Sequence, residues 1–136
     1  MPSINPSPQQ LAQFAAAMPA GQPILMLNLL RYRDQAAYSD ASSHSPCSGR
    51  EAYARYSRTA LSKVRGVGGS VQLLAGVRAA LIAPQDEHWD EMLLVSYPSP
   101  EAFLAMLADP EYRAATEHRS AALADSRLIG CQPPTV

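Results

Sequence analysis

The sequence predicts an α+β domain with the element order β-α-β-β-α-β: a four-stranded antiparallel sheet with its helices on one face, preceded by an extra N-terminal helix. Three observations carry that prediction. Segments starting near Ile24, Ser70, His88 and Ser126 are short and aliphatic, as strands are. Helical stretches with apolar residues every three or four positions separate the first strand from the second and the third from the fourth. A chain of 136 residues, 47% hydrophobic and 17% charged, suits one domain able to bury a core.

Residues 1–22 read as an irregular, proline-rich arm and a short helix, in which Ser7 caps and Pro8 takes the first helical position. The domain proper spans 23–132, and residues 133–136 are a tail. The first strand, 24–32, is apolar on both faces, as a central strand covered on both sides should be. One parity holds Leu25, Leu27 and Leu29; the other holds Ile24, Met26, Asn28, Leu30 and Tyr32. Asn28 is the odd residue, a buried amide that must find a partner. Residues 33–49 are small, polar and turn-rich, a loop long enough to be a lid or a mobile segment.

Ser48 and Glu51 have capping-box spacing, and Tyr53, Tyr56, Ala60, Val64 and Val67 form the apolar stripe of the helix they open. Gly66, Gly68 and Gly69 end it. Strands over 70–83 and 88–97 make a hairpin around Pro84–Glu87, with Val71, Leu73, Ala75, Val77, Ala79 and Leu81 on one face. Ser99-Pro100-Glu101 opens a helix that turns Phe103, Met106 and Leu107 inward. Asp109-Pro110-Glu111 restarts it as far as about Ala124, and the last strand covers 126–132.

Eleven basic and twelve acidic residues leave a net charge of −1, and Lys63 is the only lysine. A nucleic-acid partner needs a basic footprint, which is missing. The longest apolar run, 24–30, is too short to span a bilayer, and the N-terminus lacks the layout of a signal peptide. The expectation is a soluble cytoplasmic protein whose two cysteines, Cys47 and Cys131, are reduced. His44 and Cys47 alone do not make a metal site. Neither a phosphate loop nor a dinucleotide fingerprint is present, so no cofactor is expected.

The polar groups worth singling out lie on the helix 112–124. Tyr112, Ala115, Arg119 and Ala122 share one side, and Arg113 and Glu117 have the spacing of a solvent-exposed ion pair. Adjacent residues diverge by about 100°, so His118 and Arg119 divide roles. His118 is the candidate proton acceptor at the cleft, and Arg119 the tie to a strand end or to Asp125. Tyr32, Tyr53, Tyr56, Trp89, Tyr97 and Tyr112 fall where they would line a flat pocket between sheet and helices. Because both sheet faces are apolar, the face without helices needs cover, and a second copy of the chain is the expected partner.

The phrases MLNLLRYR at 26–33, SGREAYARY at 48–56 and DPEYRAATEHRSAALADSRLI at 109–129 resemble a family catalogued as domain of unknown function 1330, within the dimeric α/β-barrel superfamily. The likeness covers roughly 23–130 and leaves the arm outside. The loop at 33–49 and the N-terminal helix look like a longer subgroup. The resemblance implies a ferredoxin-like fold that dimerises through its sheets. The superfamily also contains cofactor-independent monooxygenases acting on aromatic polyketides, thought to use Asn, Trp and Tyr around a flat substrate; Asn28, Trp89 and Tyr97 match in type. Two functional readings follow. One is a cofactor-independent oxygenase or isomerase in which Asn28 and Tyr97 hold a substrate oxygen, His118 accepts a proton, Trp89 and Tyr32 are walls, and Arg119 supports the substrate. The other is a non-catalytic homodimer that binds a small molecule in the same cleft.

Overall fold

Ser7, Ser48, Ser99 and Asp109 each turn a side-chain oxygen onto a backbone N–H of the helix that follows, and so fix where four helices begin. Each such cap is worth about 1 kcal/mol. The computed structural model describes residues 2–40 and 42–134. In chain order the elements are α1 (Pro8–Ala17), β1 (Ile24–Tyr32), α2 (Gly49–Gly66), β2 (Ser70–Gly76), β3 (Glu91–Tyr97), α3 (Pro100–Ala108), α4 (Pro110–Ala122) and β4 (Leu123–Cys131).

The strands form one antiparallel sheet in the order β2-β3-β1-β4, which with the element order gives the expected ferredoxin-like α+β fold. Register fixes the faces. Ile24, Met26 and Leu30 are buried toward the helices, with Val95 and Tyr97 beside them on β3. Ala52, Tyr53, Tyr56, Ala60 and Val64 of α2 pack onto that face, joined by Phe103 and Met106 of α3 and Tyr112 and Ala115 of α4. Lys63, paired with Asp109 at 3.1 Å, ties α2 to the start of α4. On the other face Leu27 lies between Leu94 and Ile129, with Leu25 and Leu29 to either side, and no described helix covers them.

Two glycines are required by close approach. A Cβ on Gly49 would overlap the carbonyl oxygens of Arg33 and Ala122, which the start of α2 touches. A Cβ on Gly130 would lie 2.7 Å from the Phe14 ring, so glycine there lets α1 rest on β4.

The second strand is shorter than its sequence implies. It ends at Gly76 opposite Glu91, and residues 77–90 form a loop in place of the expected hairpin. The cause lies in the neighbour: Leu30 of β1 is the last residue paired with β3, at Glu91. Beyond that point a 78–90 hairpin would be an isolated two-stranded ribbon, which is marginal in water. Leu81 and Ile82 at its tip are 97% and 94% exposed. A bulge at Gln72 also breaks the parity read for this strand. Val71 pairs with Val95 and Leu73 with Leu94, so these two residues, taken as one face, lie on opposite faces. At the other end, β4 begins directly at Leu123, and α4 stops at Ala122.

Candidate functional site

Between the helix face of the sheet and the helices lies a cleft of about 520 Å³. It exists because β2 and β4 extend past the helix layer: Val71, Leu74 and Leu128 stay 39%, 60% and 44% exposed on the helix side. The walls are Leu93, Val95, Leu128 and the α2 residue Leu61, with Tyr53, Tyr56, Tyr97 and Tyr112 at the inner end. The N-terminal arm, Ser3–Pro6, closes one side. Ser126 donates to the Ser3 carbonyl, the Ser3 N–H donates to Asp125 at 2.8 Å, and Asn5 donates to Ser120 at 3.3 Å.

Asn28 faces this cleft from the centre of the sheet. Its amide donates to the carbonyls of Leu93 at 3.3 Å and Met26 at 3.4 Å, both long bonds. Tyr56 and Tyr112 share a hydrogen bond of 2.7 Å between their hydroxyls. Burial raises the pKa of Tyr53 to about 12 against the nearby positive charge of Arg119, which lowers it, and burial pushes the Tyr56 and Tyr97 hydroxyls well above the ordinary tyrosine range. At neutral pH the Tyr53, Tyr56 and Tyr97 hydroxyls are therefore protonated hydrogen-bond donors and cannot serve as bases.

Arg119 is only 8% exposed. It lies on the core-facing stripe with Tyr112, Ala115 and Ala122, donates to the Ile4 carbonyl at 2.5 Å, and reaches the Ser126 hydroxyl at 3.5 Å. Its partners are therefore Ile4 of the arm and Ser126 within β4, where a strand end or Asp125 was expected. The alternative, Asp125, pairs with Arg127 at 3.0 Å.

The sequence-predicted site residues do not all meet. Asn28, Tyr97 and Arg119 line the cleft. Tyr32 sits at the far end of β1 in a polar depression, donating to Glu91 at 2.5 Å beneath the Arg50 guanidinium; burial first, then Glu91, raises its pKa. Trp89 lies outside the cleft, its ring 5.0 Å from the Arg127 guanidinium. His118 is on the other side of α4, because the stripe that carries Arg119 inward carries its neighbour outward. There it shares a 2.6 Å hydrogen bond with Tyr38 and stacks edge-on to His44 at 4.4 Å. Glu117 pairs with His44 at 3.2 Å, replacing the expected pair with Arg113, which turns toward the cleft.

This second cluster belongs to the loop 33–49. The Arg33 N–H donates to Ala122, the Ala37 N–H to Ala121 and the Ala36 N–H to Cys47, while Arg55 donates to the Ser45 carbonyl and the Tyr38 oxygen. Sequence reasoning missed both the arm at the cleft and Tyr38 at His118. Each contact joins residues 80 or more positions apart, and no local pattern marks it. Among the described residues no group of three or more His, Cys, Asp or Glu side chains could hold a metal, no helix is long and apolar enough to cross a membrane, and Cys47 and Cys131 are free thiols.

The family described as Domain of unknown function (DUF1330) matches residues 32–130. A protein of unknown function from Rhodopseudomonas palustris, RPA0582, is 43% identical with a TM-score of 0.90 over 100% of both chains. Its methylated form is 44% identical at the same TM-score, over 98% of this chain and 96% of that one. A hydroxynitrile lyase from Passiflora edulis shares the fold at 8% identity, with a TM-score of 0.56 over 85% of this chain and 97% of the other. No curated protein matches the chain.

Proposed function

This chain belongs to the DUF1330 family, whose description states no activity, and from that premise we propose that it is a homodimer binding a small molecule with a flat, apolar body in the cleft between sheet and helices. The cleft carries the proposal: about 520 Å³ of largely apolar wall with few, convergent polar groups has the size and make-up of a ligand site. A fragment screen by protein NMR tests it. Aromatic fragments should shift Asn28 and Tyr56, and Leu93→Trp, which puts an indole into the cleft, should abolish those shifts. Fragments that bind the Leu93→Trp variant equally well would remove the proposal.

Binding without chemistry is the reading the geometry favours over an oxygenase or isomerase. Abstracting a substrate proton needs a base within hydrogen-bond reach. The expected base, His118, is on the outer side of α4, and none of the described residues lining the cleft is a histidine or a carboxylate. Ligands found in the screen should therefore stay unchanged and consume no oxygen on incubation with the protein.

The second copy belongs on the open sheet face, where Leu73 is 48% and Ile129 46% exposed beside Leu25, Leu27, Leu29 and Leu94. A stable pair would bury about 800 Å² on each subunit. Light scattering should give twice the 14.6 kDa chain mass, and Leu27→Glu should return it to one. A wild-type monomer at micromolar concentration would sink the dimer. The free thiols fit a cytoplasmic setting.

A further inference from the structure

Arg119 carries a permanent charge into a nearly dry position, yet none of the described carboxylates pairs with it. Its acceptors are neutral: the Ile4 carbonyl and the Ser126 hydroxyl. Asp125, next in sequence to Ser126, is engaged by Arg127 and by the Ser3 N–H. A buried charge on neutral partners is held at a cost that an opposite charge would offset. The rest of the cleft has the same sign. Arg113 also lines it, and among the described residues no acidic side chain does.

We infer that the cleft selects an amphipathic organic anion, with an aromatic or otherwise flat apolar body and one carboxylate-type head received by Arg119. This rests on the reading of the cleft as a ligand site. The planar guanidinium fits a carboxylate through two parallel N–H···O bonds. The body then lies along Leu93, Val95 and Leu128, and the Tyr53 hydroxyl, close enough to Arg119 to feel its charge, is a neutral donor for the same head. The arm enters the same scheme. The Ile4 carbonyl competes with the head for the guanidinium, so an arriving anion loosens the hold of Arg119 on Ile4.

Calorimetric titration with 2-naphthoate and with 2-naphthalenemethanol separates charge from shape, because the two share a body and differ in the head. The naphthoate should bind about tenfold or more tightly, the scale of one charge-assisted hydrogen bond. Arg119→Met should reduce that preference, read as the ratio of the two affinities on the same variant, to near parity. Should Arg119→Met fail to fold, Arg119→Lys serves: it keeps the charge without the fork and should retain only part of the preference. Equal wild-type affinity for both probes, with Leu93→Trp blocking both, overturns the anion inference and leaves the cleft reading standing. If neither probe binds, or if Leu93→Trp changes nothing, the cleft reading falls and the inference with it.

Discussion

Two polar regions sit back to back across α4, and they are opposites. The cleft side holds a buried arginine, four tyrosines and, among the described residues, no acid. The loop side holds two histidines, a glutamate, an arginine and a tyrosine, all partly or fully exposed. Neighbouring residues 118 and 119 supply the centre of each. A half-buried imidazole such as His118 on the wet loop side can change its charge and its partners; a guanidinium on the dry side keeps its charge and must be matched. Location on the helix, more than residue type, decides which of the two is suited to a ligand.

The largest effect that separates the two sides is on stability. Arg119→Ala removes the bridge between α4, the arm and β4, and leaves the Ile4 carbonyl and the Ser126 hydroxyl without that donor. The expected loss is about 3 kcal/mol, or ~10 °C in melting temperature for a chain of this size. His118→Ala loses one hydrogen bond at a half-exposed site and should cost about 1 kcal/mol. It should also leave cleft binding intact. Thermal melts of the two variants check the contrast, and a larger loss from His118→Ala would reverse it.

The sequence made the helix side of this comparison visible and the loop side invisible. The stripe Tyr112, Ala115, Arg119, Ala122 follows from helical period alone, and it already places Arg119 inward. Giving the catalytic role to His118 came from its proton chemistry, which says nothing about direction. Asn28 stood out because an amide in an aliphatic strand is rare, and it does face the cleft. The capping boxes at Ser7 and Ser48 are local, so their helices begin where the residues say. Where β2 stops is not local. It depends on where β1 and β3 part, and Val, Leu and Ile continue past that point to Ile82 regardless. The bulge at Gln72 is just as silent, although it moves Leu73 to the open face.

A smaller effect is confined to the loop side and depends on pH. Burial, then the nearby His44, holds the His118 pKa below its ordinary 6.5, while Glu117 pulls the other way. Arg55 donates to the Tyr38 oxygen, which leaves the Tyr38 proton to point at an unprotonated His118 Nδ1. In the window from 6.5 down to the lowered value, the unfolded chain binds a proton that the folded chain refuses. The contribution is thus full above 6.5 and lost as pH falls through the folded pKa. Melting temperature should drop as pH falls below 6.5, with faster exchange of the Ala37 amide, and His118→Gln should flatten that limb. Asp109 and Asp125, with pKa values lowered from 3.8, act only at lower pH and do not blur it. An identical acid limb in His118→Gln would assign the effect elsewhere.

The smallest expected effect is also the sharpest test of whether the loop cluster is a wet surface. Glu117 and His44 pair at 3.2 Å with side chains 48% and 34% exposed. Removing one partner of such a pair should cost no more than about 0.5 kcal/mol, because solvent screens the attraction and the side chains regain freedom. Glu117→Gln should therefore hardly move the melting temperature, whereas Arg119→Ala moves it a great deal. It should still be felt at His118. The Glu117 carboxylate is the group that favours the imidazolium, and without it burial and His44 act unopposed, so the His118 titration followed by NMR should shift to lower pH. A titration that does not move would mean that solvent screens Glu117 from His118 altogether. A melting loss approaching that of Arg119→Ala would mean that the loop cluster carries the fold, and the contrast between the two sides of α4 would be gone.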